Sequence, residues 1–113
     1  MKDIIYLING DDNRYKIGIT SEKRLSTRIK HLQTGSSCEL RLIYSYNTKY
    51  ASLIEKALHR QYQSKKLIGE WFELLNEEVF TFVENCTNIE NNIKLLIKEN
   101  NDYILKTLNK LQI

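Results

Sequence analysis

The chain contains no proline and only four glycines, so its breaks fall to those glycines and to clusters of polar residues. It has no low-complexity tract and no internal repeat, which argues against disordered linkers and repeat architectures. Cys38 and Cys86 are its only cysteines and lie far apart, too few for a disulfide framework and without zinc-ligand spacing. Reduced structural thiols are their ordinary reading. No apolar run approaches the ~20 residues of a membrane span. The start, Met1-Lys2-Asp3-Ile4-Ile5-Tyr6, carries an early acidic residue and lacks the long apolar stretch of a signal peptide. An intracellular protein with no membrane partner is therefore expected.

What is present fits one globular domain with a helical extension: 113 residues, 42% hydrophobic and 27% charged. The net charge of +3 is unevenly spread. Residues 1–75 carry 13 Lys+Arg against 8 Asp+Glu, a net +5, and residues 76–113 carry 4 against 6, a net −2. The attraction for an anionic partner belongs to the first two thirds.

Ile4-Ile5-Tyr6-Leu7-Ile8 is short, β-branched and aromatic, and runs into the turn formers Asn9-Gly10-Asp11-Asp12-Asn13. Tyr15-Lys16-Ile17-Gly18-Ile19-Thr20 then alternates as a half-buried strand does, and the two segments read as a hairpin. Ser21 is the expected N-cap of a first helix whose Leu25, Ile29 and Leu32 recur at i, i+4, i+7 before Thr34-Gly35. Glu39 to Tyr46 alternates again as a third strand. A second helix is expected over about residues 49–63, with Ala51, Ile54, Leu58 and Tyr62 on one face. Gly69 breaks the chain, and Glu70 to Leu74 returns it to the core. From Asn76 two helical pieces are expected, the first with Val79, Phe82 and Val83, the second with Ile93, Ile97, Ile104, Leu108 and Leu111, parted near Asn85 to Asn88 and interrupted at Asn100.

Four elements then bring polar residues into prospect: Tyr6 on the first strand, Lys16 on the second, Arg28 on the first helix and Glu55 on the second. Arg24, Arg28 and His31 share the spacing i, i+4, i+7 beside the apolar stripe. Such a row can hold a phosphate, though it also fits a helix face solvated by charge. With Ile54 at zero, Leu58 lies near ~40°, Tyr62 near ~80° and Glu55 near ~100° around the second helix. Glu55 thus flanks the buried stripe, where a half-buried carboxylate calls for a cation, basic or metallic. His59 shares that edge one turn on, as a phosphate contact or a structural hydrogen bond. Gly18 opens space beside Lys16 if it marks a close approach. Tyr6 and Lys16 share a face of the hairpin only if paired residue numbers sum to an even number. Trp71 and Phe72 are expected in the core more than stacked on bases.

The strings Ile5-Tyr6-Leu7-Ile8, Lys16-Ile17-Gly18-Ile19-Thr20, Arg28 to Gly35, Glu55-Lys56-Ala57-Leu58-His59 and Gly69-Glu70-Trp71-Phe72 resemble, in order, the GIY-YIG nuclease superfamily. The match over about residues 3–75 is closest to its phage and viral T5orf172-like (MUG113-like) branch. The resemblance implies an α+β fold, with a small three-stranded antiparallel sheet flanked by helices as a nuclease core (residues 1–75), followed by a C-terminal helical extension (residues 76–113). It also implies a metal-dependent DNA endonuclease with Mg²⁺ or Mn²⁺ on Glu55. Tyr6, Lys16, Arg28, Glu55 and His59 form the expected catalytic set, with Lys16 where the superfamily has its second tyrosine. Arg24, Arg28, Lys30 and His31 are the expected DNA contacts, and Asn76 is the candidate for a late asparagine. Tyr6, as a phenolate or through a hydrogen-bonded network, or a neutral Lys16 would take the proton of the attacking water. Two other classes stay open: a non-cleaving DNA-binding module of the same fold, and a protein-interaction or inhibitory domain working through the acidic helical end. The last helix is expected either to pack on the core or to pair with a second copy as a homodimer.

Overall fold

Ile4 to Ile8 are buried without interruption in the first strand, β1 (Asp3–Asn9), so the sheet has to be covered on both faces. The structure, a computed structural model describing residues 3–111, does this with helices on either side. Strands β2 (Arg14–Ser21), β3 (Arg41–Thr48) and β4 (Trp71–Glu73) join β1 in one antiparallel sheet of order β3-β1-β2-β4.

One sheet face carries Tyr6 and Ile8 and is covered by α1 (Leu25–Thr34) through Leu25, Ile29 and Leu32. The other carries Ile5, Leu7 and Ile17 and receives α2 (Ala51–Gln61), α3 (Asn76–Phe80) and the start of α4 (Phe82–Leu111). Ala51, Ile54, Leu58 and Tyr62 supply the buried stripe at α2, while Val79, Phe82 and Cys86 close the same core.

Four strands stand where three are expected. Arg14, Tyr15 and Lys16 pair with Glu73, Phe72 and Trp71, and a strand this short shows no alternation by which to recognise it. Ser21 ends β2 and makes no side-chain cap; a 3₁₀ turn over Glu22–Arg24 intervenes before α1. The second helix is shorter than expected and ends in another 3₁₀ turn, Gln63–Lys65.

The C-terminal helices part at Thr81, and α4 runs unbroken through Asn85 to Asn88 and past Asn100. The reason is where the polar side chains go. Asn85 donates to Gln61 Oε1 and to Tyr62 Oη at 3.2 and 3.0 Å instead of competing for its own backbone, and Thr87 bonds back to the Val83 carbonyl. Glu90 ties α4 to the end of β3, accepting from Tyr46 Oη at 3.0 Å and from Thr48 Oγ1. Beyond that anchor Leu95, Leu96 and Ile97 are exposed. The side chains of Ile104, Leu108 and Leu111 lie outside the described residues. Among the described residues no helix is long and apolar enough to cross a membrane.

The β1–β2 register settles which residues share the α1 face. Tyr6 pairs with Gly18 and Ile8 with Lys16, an even sum that puts Tyr6 and Lys16 on the same side. A Cβ built at Gly18 would fall inside the Tyr6 phenol, so the glycine clears room for the tyrosine ring. Gly18→Ala is accordingly expected to destabilise the fold by ~1–3 kcal/mol in chemical denaturation, the usual cost of overpacking a core. An unchanged midpoint would show that the ring does not rest on Gly18.

Candidate functional site

The ladder between β2 and β4 ends at Lys16, and the next residue of β2 turns its backbone to other partners. Ile17 N–H donates to the Glu70 carbonyl at 3.2 Å, and the Ile17 carbonyl contacts His59 Nε2 at 3.1 Å. Since a carbonyl only accepts, Nε2 carries the proton of that bond. His59 also packs edge-on against Phe72, with ring centroids 5.0 Å apart. This hydrogen bond docks the His59 turn of α2, one turn beyond Glu55, onto β2 beside Gly18.

Tyr6 is fully buried, and its hydroxyl accepts from Arg28 Nε at 3.5 Å. Burial, the largest influence, raises the Tyr6 pKa above the ordinary tyrosine value, and Arg28 opposes it by hydrogen bond and charge. The charges of Glu70 and Glu55 raise it further. Burial therefore favours the protonated phenol and works against a phenolate at Tyr6. With Arg28 donating to its oxygen, Tyr6 keeps its own proton to offer to a further acceptor.

Lys16 Nζ lies 3.3 Å from Glu70 Oε2 and 5.7 Å from the centroid of the Trp71 ring. Only 12% of the Lys16 side chain is exposed. The pair stands on a turn in which Gly69 adopts φ 65°, a conformation that favours glycine, and Trp71 N–H reaches back to the Ile68 carbonyl. Glu70 is the site residue that the sequence reading missed. It lies in the turn just before β4, and strand alternation alone would not place it beside Lys16.

Glu55 is half-buried on α2, and burial, followed by the charge of Glu70, raises its pKa above the usual carboxylate value. His59, Lys16 and Lys56 pull the other way. Among the described residues no salt bridge neutralises it and no group of three or more His, Cys, Asp or Glu is arranged to hold a metal. A single desolvated carboxylate fits a hard divalent ion that keeps most of its shell for water and phosphate oxygens.

Arg24, Arg28 and His31 line one groove with Thr20 and Thr27. Lys30, ~200° around α1 from Arg28, is exposed outside that groove. Asn76 is exposed at the start of α3 and takes part in none of the contacts above. Phe72 is fully buried as expected, while Trp71 is only partly so. Tyr6, Lys16, Arg28 and Glu55, from four elements, therefore act on one another, with Glu70 among them.

The raised pKa of Glu55 has a signed consequence. A carboxyl that holds its proton more tightly when folded stabilises the protein below the ordinary carboxylate pKa and loses that contribution as pH rises through the folded value. Glu55→Gln is expected to melt higher than the wild type at neutral pH, with the gap closing as the solution is acidified below about pH 4.5. A variant less stable than the wild type at neutral pH would mean that Glu55 is a satisfied structural carboxylate.

No curated protein and no solved structure matches the chain. One family model does, that of the T5orf172 domain, over residues 3–87, from the start of β1 into α4. A match over that share of the sequence, ending where Phe82 and Cys86 complete the core, means that the chain belongs to the T5orf172 domain family.

Proposed function

We propose that the chain is a metal-dependent DNA endonuclease of the GIY-YIG type, cutting one phosphodiester bond at a time at the Tyr6–Arg28–Lys16–Glu55 site. The observation that carries this reading is the desolvated Glu55 carboxylate, left without a salt bridge among the described residues within the field of the Tyr6–Arg28 pair. A structural carboxylate would be expected to carry a partner; this one fits a partner that arrives with substrate.

In this reading Glu55 holds Mg²⁺ or Mn²⁺, whose chemistry is to neutralise charge on the phosphate and its leaving oxygen. The exposed Arg28 guanidinium faces the phosphoryl oxygens with its terminal nitrogens while Nε keeps Tyr6 in place, so one side chain serves both charge and positioning. Tyr6, buried behind Arg28, holds the guanidinium through its oxygen, and the attacking water would give its proton to a phosphate oxygen or to bulk water as it adds. Lys16, steadied by Glu70 and the Trp71 ring, adds a second cation. Arg24 and His31 extend the groove along the strand.

Supercoiled plasmid and short oligonucleotides incubated with Mg²⁺, Mn²⁺ or chelator test the reading. Wild type is expected to cut only with metal, and Glu55→Ala to lose cutting by at least ~10²-fold while melting cooperatively. Arg28→Ala is expected to lose cutting and to flatten the salt dependence of binding by about one counterion. Undiminished metal-dependent cutting by Glu55→Ala rejects the site. Binding without cutting by the wild type favours the non-cleaving module.

A further inference from the structure

A second concavity of about 390 Å³ lies on the α1 face, within the ~300–1,000 Å³ common to small-molecule sites. Its wall includes Gly10, Arg14, His31, Ser37, Cys38 and Trp71. His31 also lines the groove of Arg28, and Trp71 carries Lys16 against its ring. The cavity is thus flanked on two sides by neighbours of Arg28 and Lys16.

Its chemistry differs from that site. The one arginine in its wall is balanced by Asp11, 3.6 Å away, so the cavity is not built for an anion. Indole, thiol and the side chain of Leu32 offer apolar surface, while the exposed His31 and Ser37 bring polar groups to the same wall. Gly10 keeps one side bare: a Cβ there would lie 3.1 Å from Trp71 Cζ3 and 3.7 Å from Cys38 Sγ. A flat, neutral ring with hydrogen-bonding edges matches this lining, and a neutral ring next to a held phosphate is a nucleobase.

We infer that this cavity receives an unpaired nucleobase from the strand whose phosphate sits at Arg28, through the Trp71 ring and the Ser37 and His31 side chains. The inference rests on the DNA-cutting reading and narrows its substrate class. A base stacked within an intact duplex cannot enter a cavity, so the nucleotide is either single-stranded or turned out of the stack.

Two built-in reporters allow the test. Trp71 is the only tryptophan, and Cys38 is partly exposed while Cys86 is buried, with its thiol pushed up to about 12 by burial. Wild-type protein in chelator is titrated with a short single-stranded oligonucleotide, with a chain of abasic sugar-phosphates of equal length, and with the matching duplex. Binding is followed by anisotropy, Trp71 fluorescence by quenching and Cys38 by its alkylation rate. The oligonucleotide is expected to quench Trp71, to slow alkylation by at least about tenfold at saturation, and to bind at least about tenfold more tightly than the abasic chain. Ser37→Tyr, which fills the cavity from an exposed position, is expected to erase that difference. A duplex that protects equally assigns the base to a turned-out nucleotide; one that does not assigns it to single strands. Equal quenching and protection by the abasic chain, or tight oligonucleotide binding with both reporters silent, overturns the inference alone. Binding of no probe, either in chelator or with Ca²⁺ supplied as a divalent ion, overturns it together with the nuclease reading.

Discussion

The close approach of the Tyr6 phenol to Gly18 is the contact on which the site depends. It exists because the hairpin pairs these two residues on a sheet face that α1 seals, and because glycine leaves the ring a place to lie. The position has a second property: β4 covers β2 only as far as Lys16, so the backbone next to Gly18 is open to other elements. His59 of α2 and the Glu70 turn both take hold of Ile17 there. A polar group from the opposite face of the sheet, Glu55, is thereby brought to bear on a tyrosine of the first strand. Extending β4 by a few residues would close this passage.

Around that contact the charges form an uneven set. Arg28 sits against Tyr6 and Lys16 against Glu70, while Glu55 feels the Glu70 charge without a salt bridge of its own among the described residues. Tyr6 and Glu55 both have their protonated forms favoured by burial, so the resting protein keeps a proton on the phenol and carries a strained carboxylate. In the proposed nuclease reading both conditions would be relieved by the same event, arrival of a phosphate with its divalent ion. Burial costs stability at Glu55, whereas Glu90 shows the opposite balance. Hydrogen bonds from Thr48 and Tyr46 lower the Glu90 pKa, so it strengthens the fold above the ordinary carboxylate range and is lost as the pH falls.

Period and register carried most of the fold into view from the sequence. The stripe of Leu25, Ile29 and Leu32 and that of Ala51, Ile54, Leu58 and Tyr62 follow from side-chain periodicity, Glu55 falls on the flank its helical angle indicates, and the even hairpin sum, only a condition in the sequence, is met by the β1–β2 register. Short or rescued elements escaped. Three residues of β4 cannot display alternation, and with that strand went the Lys16–Glu70 pair. The break assigned to Asn85–Asn88 failed because Tyr62 and Gln61, twenty-odd residues earlier, occupy the Asn85 amide, a partnership no local pattern contains. The upward shift of the Tyr6 pKa has no local signal either, since it follows from the three-dimensional exclusion of water and not from neighbours in sequence.

Convergence of metal and phosphate at the passage beside Gly18 is the central claim, and paramagnetic broadening of backbone amide resonances by Mn²⁺, in the presence of a non-hydrolysable phosphorothioate oligonucleotide, tests it most directly. The account predicts selective broadening at Glu55, Gly18 and Tyr6, lost in Glu55→Ala. Broadening centred on the acidic residues of α3 and α4, Glu77, Glu78 and Glu84, with Gly18 and Tyr6 unaffected, would contradict it.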